Sequence, residues 1–166
     1  MTAMKLQKLV YYSQAWALVL LGRPLFSEEF RAWREGPVCG PLYHGHRGQF
    51  LVSSWPGNPD ALRQDEADAV RRVLCAYGDK NASWLSDLTH REQPWIDARK
   101  GLGPGENGTI VITKESMRTY YSGADSSEAR AVNGKFNPLI ATLDNLSDDE
   151  AELLGELAAR DLAEAE

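Results

Sequence analysis

The sequence predicts a mainly α fold: a single compact helical domain with a small two-stranded β element, followed by an acidic amphipathic C-terminal helix. Three observations carry this. The stretch from Met4 to Leu21 is rich in apolar residues at helical spacing, similar periodicity recurs between Asp60 and Tyr77, and only residues 29–34 and 109–112 have strand chemistry. At 166 residues the chain is long enough to bury one substantial core without metal or disulfide support. The expected organisation is a domain over 1–122, a linker over 123–143 and the acidic helix over 144–166.

The first helix sets the pattern for the rest. Leu6, Leu9, Val10, Ser13, Ala17 and Leu20 follow one face, while Tyr12, Trp16 and Val19 extend the apolar surface into a second stripe. A helix with so little polar surface requires neighbours on nearly every side. Gly22 can close it in the left-handed conformation, and Pro24 fixes the exit of the chain. Residues 29–34 alternate charged and apolar side chains as a half-buried strand does, and the two Gly-Pro steps between Gly36 and Pro41 predict a rigid bend. A short helix starts near Leu42, and Gly45 to Gly48 form a polar turn.

Residues 53–59 have loop composition, after which Asp60 is the expected cap of a helix to Tyr77, with Glu66 on its solvent face. Asn81 or Ser83 starts the next helix through Leu85 and Leu88, and a further helical turn ends near Lys100. Residues 101–108 hold four glycines and a proline and read as an exposed connecting loop. Thr113, with Ser116 three residues on, marks the start of a helix to Tyr121, and Ser147-Asp148-Asp149-Glu150 is a capping box for the last one. Its stripe runs through Leu153, Leu154, Leu157 and Leu162.

Charge narrows the function classes. The net charge is −6, but residues 144–166 carry nine acidic side chains against Arg160 alone, leaving 15 acidic and 17 basic residues in 1–143. So nearly neutral a body, with scattered arginines and an acidic tail, argues against a nucleic-acid binder, because phosphate neutralisation supplies most of that affinity. The tail reads as a solubilising helix or as a docking segment for a basic partner. The apolar run at the amino terminus is too short for a signal peptide and no stretch has the length to span a bilayer; with two isolated cysteines, a cytoplasmic setting is expected.

Catalytic chemistry is hard to find. Cys39, His44 and His46 are the one cysteine-histidine grouping, short of the ligands a metal site needs, and they leave a small Cys/His hydrolase as the rival from the enzyme class. The glycine-rich loop lacks the Lys-Ser/Thr ending of a phosphate loop. No cofactor or metal is implied. Trp16 and Trp84 sit at expected core positions, whereas Trp33, Trp55 and Trp95 lie beside turns, where binding-surface aromatics are found.

Several motifs together resemble a known family. Lys5-Leu6-Gln7-Lys8-Leu9-Val10-Tyr11-Tyr12-Ser13-Gln14-Ala15-Trp16, Gly22-Arg23-Pro24-Leu25-Phe26, Ala32-Trp33-Arg34-Glu35-Gly36-Pro37-Val38 and Tyr43-His44 occur in that order. Leu85-Ser86-Asp87-Leu88-Thr89-His90-Arg91-Glu92-Gln93-Pro94-Trp95, Ala98-Arg99, Ile112-Thr113 and Tyr120-Tyr121 follow. Across about residues 4–122 the chain resembles the Panacea antitoxin domain shared by SocA-type antitoxins and phage-associated GepA-like proteins. That resemblance implies a non-catalytic antitoxin that neutralises a cognate protein toxin by direct binding. A variation is a proteolytic adaptor that delivers the toxin to a cytoplasmic protease.

The expected partner surface joins the rigid turns to the neighbouring aromatics: Trp33, Arg34, Glu35, Pro37, Tyr43, His90 and Trp95, with Leu153 and Leu157 on the tail. The family usually places a helix ahead of the Lys5-Leu6-Gln7-Lys8 motif, and here the chain starts a few residues before it. The Tyr12-Trp16-Val19 stripe is therefore expected to lie under an upstream segment, the Leu153-Leu157 face or the partner.

Overall fold

The computed structural model describes residues 1–53 and 57–123. Among them the order is α1 (Ala3–Leu20), β1 (Phe30–Trp33), β2 (Gly36–Cys39), α2 (Gly40–Gly45), a 3-10 turn (Pro59–Ala61), α3 (Gln64–Tyr77), α4 (Ala82–Thr89), α5 (Gln93–Ala98), β3 (Val111–Ile112) and α6 (Lys114–Tyr121). The fold is mainly helical with a small antiparallel sheet, as the periodicity predicts. Trp55, and the linker and acidic helix expected beyond residue 123, with Leu153 and Leu157, lie outside the described residues.

Helix α1 is the centre, packed by α3, α4, α6 and β2. Thr2 caps its start, its hydroxyl accepting from the Lys5 amide at 3.2 Å, and Gly22 follows its end at φ 67°. Every residue from Tyr11 to Leu18 is buried. Tyr12 stacks on Tyr77 of α3 with ring centroids 4.3 Å apart, and Trp16 lies 5.6 Å from Tyr121 of α6 while its Nε1 donates to the Tyr77 hydroxyl at 3.3 Å. The stripe is thus covered by ordinary core helices. This corrects the expectation that an upstream segment, the tail or a partner covers it.

One carboxylate sits inside this aromatic layer. Glu92, only 4% exposed, accepts from the hydroxyls of Tyr12 at 3.1 Å and Tyr121 at 2.6 Å. Burial, and after it the Glu92 charge, hold both hydroxyls well above the usual tyrosine range, so they remain donors. The contacts join the first, penultimate and last described helices through a single side chain.

The sheet has the order β2-β1-β3. The two strands expected from sequence pair antiparallel, Phe30 opposite Ile112 and Arg31 opposite Val111. The expected bend at Gly36–Pro41 is instead mostly strand: β2 pairs with β1 from Trp33↔Gly36 to Phe30↔Cys39. Proline is tolerated there because β2 is an edge strand, and an outward-facing residue without an N–H leaves no donor unsatisfied. Helix α1 takes the remaining outward groups. Lys8 Nζ donates to the Pro37 carbonyl at 3.1 Å, and the Gln7 amide both donates to the Cys39 carbonyl at 3.4 Å and accepts from its N–H at 2.9 Å.

Other departures have local causes. Asp60 falls in the 3-10 turn, and Arg63 rather than Asp60 is the cap residue of α3, with Glu66 accepting from the Arg63 N–H at 2.9 Å. Glu66 is buried rather than solvent-facing because Arg23 reaches it from the α1–β1 turn at 2.5 Å. The Arg63 amide and then the Arg23 guanidinium hold its carboxyl down at about 2. Trp84 is 41% exposed, since α4 turns Leu85, Ser86 and Thr89 inward instead.

Tyr121→Phe removes one donor from the buried Glu92 and is expected to cost about 1–3 kcal/mol. Trp84→Ala, at an exposed position, should change stability by under about 1 kcal/mol. Urea unfolding of the two variants beside the parent measures both.

Candidate functional site: the β1–β2 hairpin and its support

The hairpin turns through Arg34 and Glu35, with Gly36 at φ 102°. Nothing larger than glycine fits at 36: a Cβ there would lie 2.7 Å from both Lys8 Nζ and Thr89 Oγ1. The tip is tied down by side chains from elements distant in sequence. Ser86 Oγ donates to the Glu35 carbonyl at 2.9 Å and Trp95 Nε1 donates to the Trp33 carbonyl at 3.0 Å. Beneath it Arg99 donates to the carbonyls of Ala32 at 3.0 Å, Glu106 at 2.7 Å and Gly103 at 2.8 Å. The glycine-rich loop is therefore a hairpin support rather than a loose connector, and a Cβ at Gly108 would fall 2.3 Å from the Ala32 carbonyl.

Most of the expected surface residues meet here. Trp33 packs edge-on to Tyr43 at 4.8 Å, and His90 stacks on Trp95 at 4.2 Å. All four are half-buried. Arg34 and Glu35 are exposed and paired at 2.8 Å. Pro37 is buried in β2 and faces α1 through its carbonyl. Leu153 and Leu157 lie outside the described residues.

Sequence reasoning missed Lys8, Ser86 and Arg99, the polar residues that hold the hairpin, and Thr89, whose hydroxyl donates to the Ser86 carbonyl beside Gly36. Lys8 is 1% exposed, and burial pushes its pKa down to about 7, with the Glu35 carboxylate pulling the other way. Burial, and then the nearby Lys8, lower the His90 imidazole, whose Nε2 is buried without a hydrogen-bond partner. A charged pattern such as Lys5-Leu6-Gln7-Lys8 ordinarily marks a solvent face; its signal here was that it lies in a helix with no room for one.

The arrangement is suited to contact rather than to bond chemistry. Cys39 is buried, and burial raises its thiol pKa, away from the thiolate a nucleophile needs. His44 is exposed on α2 while His46 is buried beyond its end. Among the described residues no group of three His, Cys, Asp or Glu side chains could hold a metal ion. No helix among them is long and apolar enough to cross a membrane.

The hairpin is thus rigid, flanked by half-buried aromatics and braced by side chains from α1, α4 and α5. The chain belongs to the family described as antitoxin SocA-like, Panacea domain, which matches residues 6–96, from α1 into α5. That span includes the hairpin, Tyr43, His90 and Trp95. Among curated proteins the chain is similar to Antitoxin SocA of Caulobacter vibrioides (strain NA1000 / CB15N), 34% identical over 121 residues, covering 61% of this chain and 61% of that protein. No solved structure matches.

The Lys8 environment has a pH signature. The unfolded chain holds the proton up to about pH 10.4 and the folded chain releases it near 7, so the unfolded state binds more protons in between. Stability should rise from pH 7 to about 8.5, by up to about 2 kcal/mol, before ionisation of Cys39 and then of the tyrosines in the unfolded state offsets the trend. Below pH 7 Lys8 contributes no slope. Lys8→Met should flatten the 7–8.5 segment in denaturant titrations.

Proposed function

We propose that this chain is an antitoxin that neutralises a protein toxin in the cytoplasm by direct, stoichiometric binding, with no catalysis of its own. The observation that carries the reading is the clamped hairpin: an exposed Arg34–Glu35 pair beside Trp33, Tyr43, His90 and Trp95, on a base fixed by Lys8, Ser86 and Trp95. Aromatic anchors on a pre-organised base bind with little ordering cost. Family membership and the name of the Caulobacter relative support the antitoxin role.

The contact surface in this reading is Trp33, Arg34, Glu35, Tyr43, His90 and Trp95, with Pro37 setting the strand beneath them. Leu153 and Leu157 of the acidic segment are a further proposed contact, supported by the charge of that segment alone.

Co-expression with the product of the adjacent reading frame tests the role. Growth arrest by that product alone and rescue by this chain are the expected result; no toxic product, or no rescue, overturns it. Glu35→Lys, with the fold checked by circular dichroism, should weaken binding about tenfold or more. Unchanged toxin abundance during rescue indicates neutralisation by binding, whereas toxin loss that depends on a protease indicates delivery to it.

A further inference from the structure

A second surface adjoins the hairpin tip. A groove of about 430 Å³ lies between the start of α1 and α4, with Met4 and Phe50 on its apolar side and Glu35, Ser86, Asp87 and His90 on its polar side. Its exposed apolar residues are held in place by backbone bonds. The Ala3 N–H donates to the Phe50 carbonyl at 3.0 Å, the Val52 N–H to the Met1 carbonyl at 2.8 Å, and the Met1 ammonium to the Val52 carbonyl at 3.0 Å. Residues 50–52 are thereby pinned to the helix start while Phe50 is left 78% and Leu51 64% exposed. A fixed backbone that presents bulky apolar side chains to water marks a contact site.

The charge of the lining selects the occupant. Glu35 and Asp87 are carboxylates; among the described residues no lysine or arginine lines the groove, but Arg34 beside it pairs with Glu35, which leaves Asp87 as the carboxylate without an ion pair. Residues 144–166 of this chain carry a net charge of −8, and a nucleic acid is likewise negative, so neither complements Asp87. A second copy that presented the same groove would bring another Asp87 to face it.

We infer that this groove docks a segment of the partner protein in which a large apolar side chain, seated against Phe50 and Met4, is followed closely by a lysine or arginine that pairs with Asp87. The inference rests on the reading of the chain as a partner-binding antitoxin and specifies the chemistry that the partner must show. The groove and the hairpin share Glu35 and His90, so one partner segment can cover both.

The test needs no knowledge of the toxin. A displayed library of random dodecapeptides is selected on the full chain, and the enriched peptides are synthesised and titrated into isotope-labelled protein. Enrichment of peptides with an apolar residue within a few positions of Lys or Arg is expected, with shifts at the amides of Phe50, Ser86 and Asp87. Affinity should fall about tenfold or more in both Phe50→Ala and Asp87→Lys, exposed positions at which the fold is retained. Acidic or charge-indifferent peptides, shifts elsewhere, groove shifts that track protein concentration without peptide, unchanged affinity in both variants, or no enrichment would each overturn the inference. Rescue from the toxin by both variants at parent level, with peptide binding absent, removes the groove and leaves the antitoxin reading standing. Failure of the parent to rescue removes that reading while the peptide result still decides the groove.

Discussion

The burial of α1 on all sides is the constraint on which the rest of the structure depends. A helix in that position can keep polar side chains only if each finds a partner, since an unpaired buried polar group costs on the order of 1–3 kcal/mol. Gln7 and Lys8 meet the outward backbone of β2, and Gln14 accepts from the amides of Leu25 and Phe26 and donates to the Phe26 carbonyl. Each satisfies itself by fixing a piece of chain that would otherwise be loop. The central helix thus acts as a template for the turn and strand that follow it.

The site inherits its rigidity from this arrangement. The position of the hairpin is set by α1 through Lys8, by α4 through Ser86 and by α5 through Trp95, three elements with no local sequence relation to residues 30–39. Gly36 is the point where these supports converge, close enough that a single added methyl would collide with both Lys8 and Thr89. The exposed residues of the hairpin therefore depend on buried ones. A change at Lys8 or Gly36 should shift the exposed hairpin face from beneath.

Electrostatics separates global from local charge. Residues 1–143 are nearly balanced, so the net negative charge of the chain comes from residues 144–166. At the groove beside the hairpin, however, Glu35 is held by Arg34 while the Asp87 carboxylate has no ion pair, in a lining that also holds exposed Phe50. Selectivity on such a face comes from short-range pairing at the apolar rim, where a mismatched charge is excluded along with water.

Sequence alone determined the helices with clear periodicity, the α1 terminator at Gly22, the Thr113 cap and the strand character of residues 29–34 and 109–112, and left Asn81 and Ser83 as alternative caps, because spacing and capping are local properties of the chain. It also grouped Trp33, Glu35, His90 and Trp95 as aromatics and charges beside rigid turns, without a reason for their proximity. Only the tertiary structure turned Gly36–Cys39 from a bend into an edge strand, buried Glu66 under Arg23, exposed Trp84 and placed Glu92 among the tyrosines. Each of those outcomes depends on a partner many residues away. The physical reason is the same in every case: the conformation and burial of a polar or proline-containing segment are set by where its backbone and charged groups find partners, and the local sequence does not contain those partners.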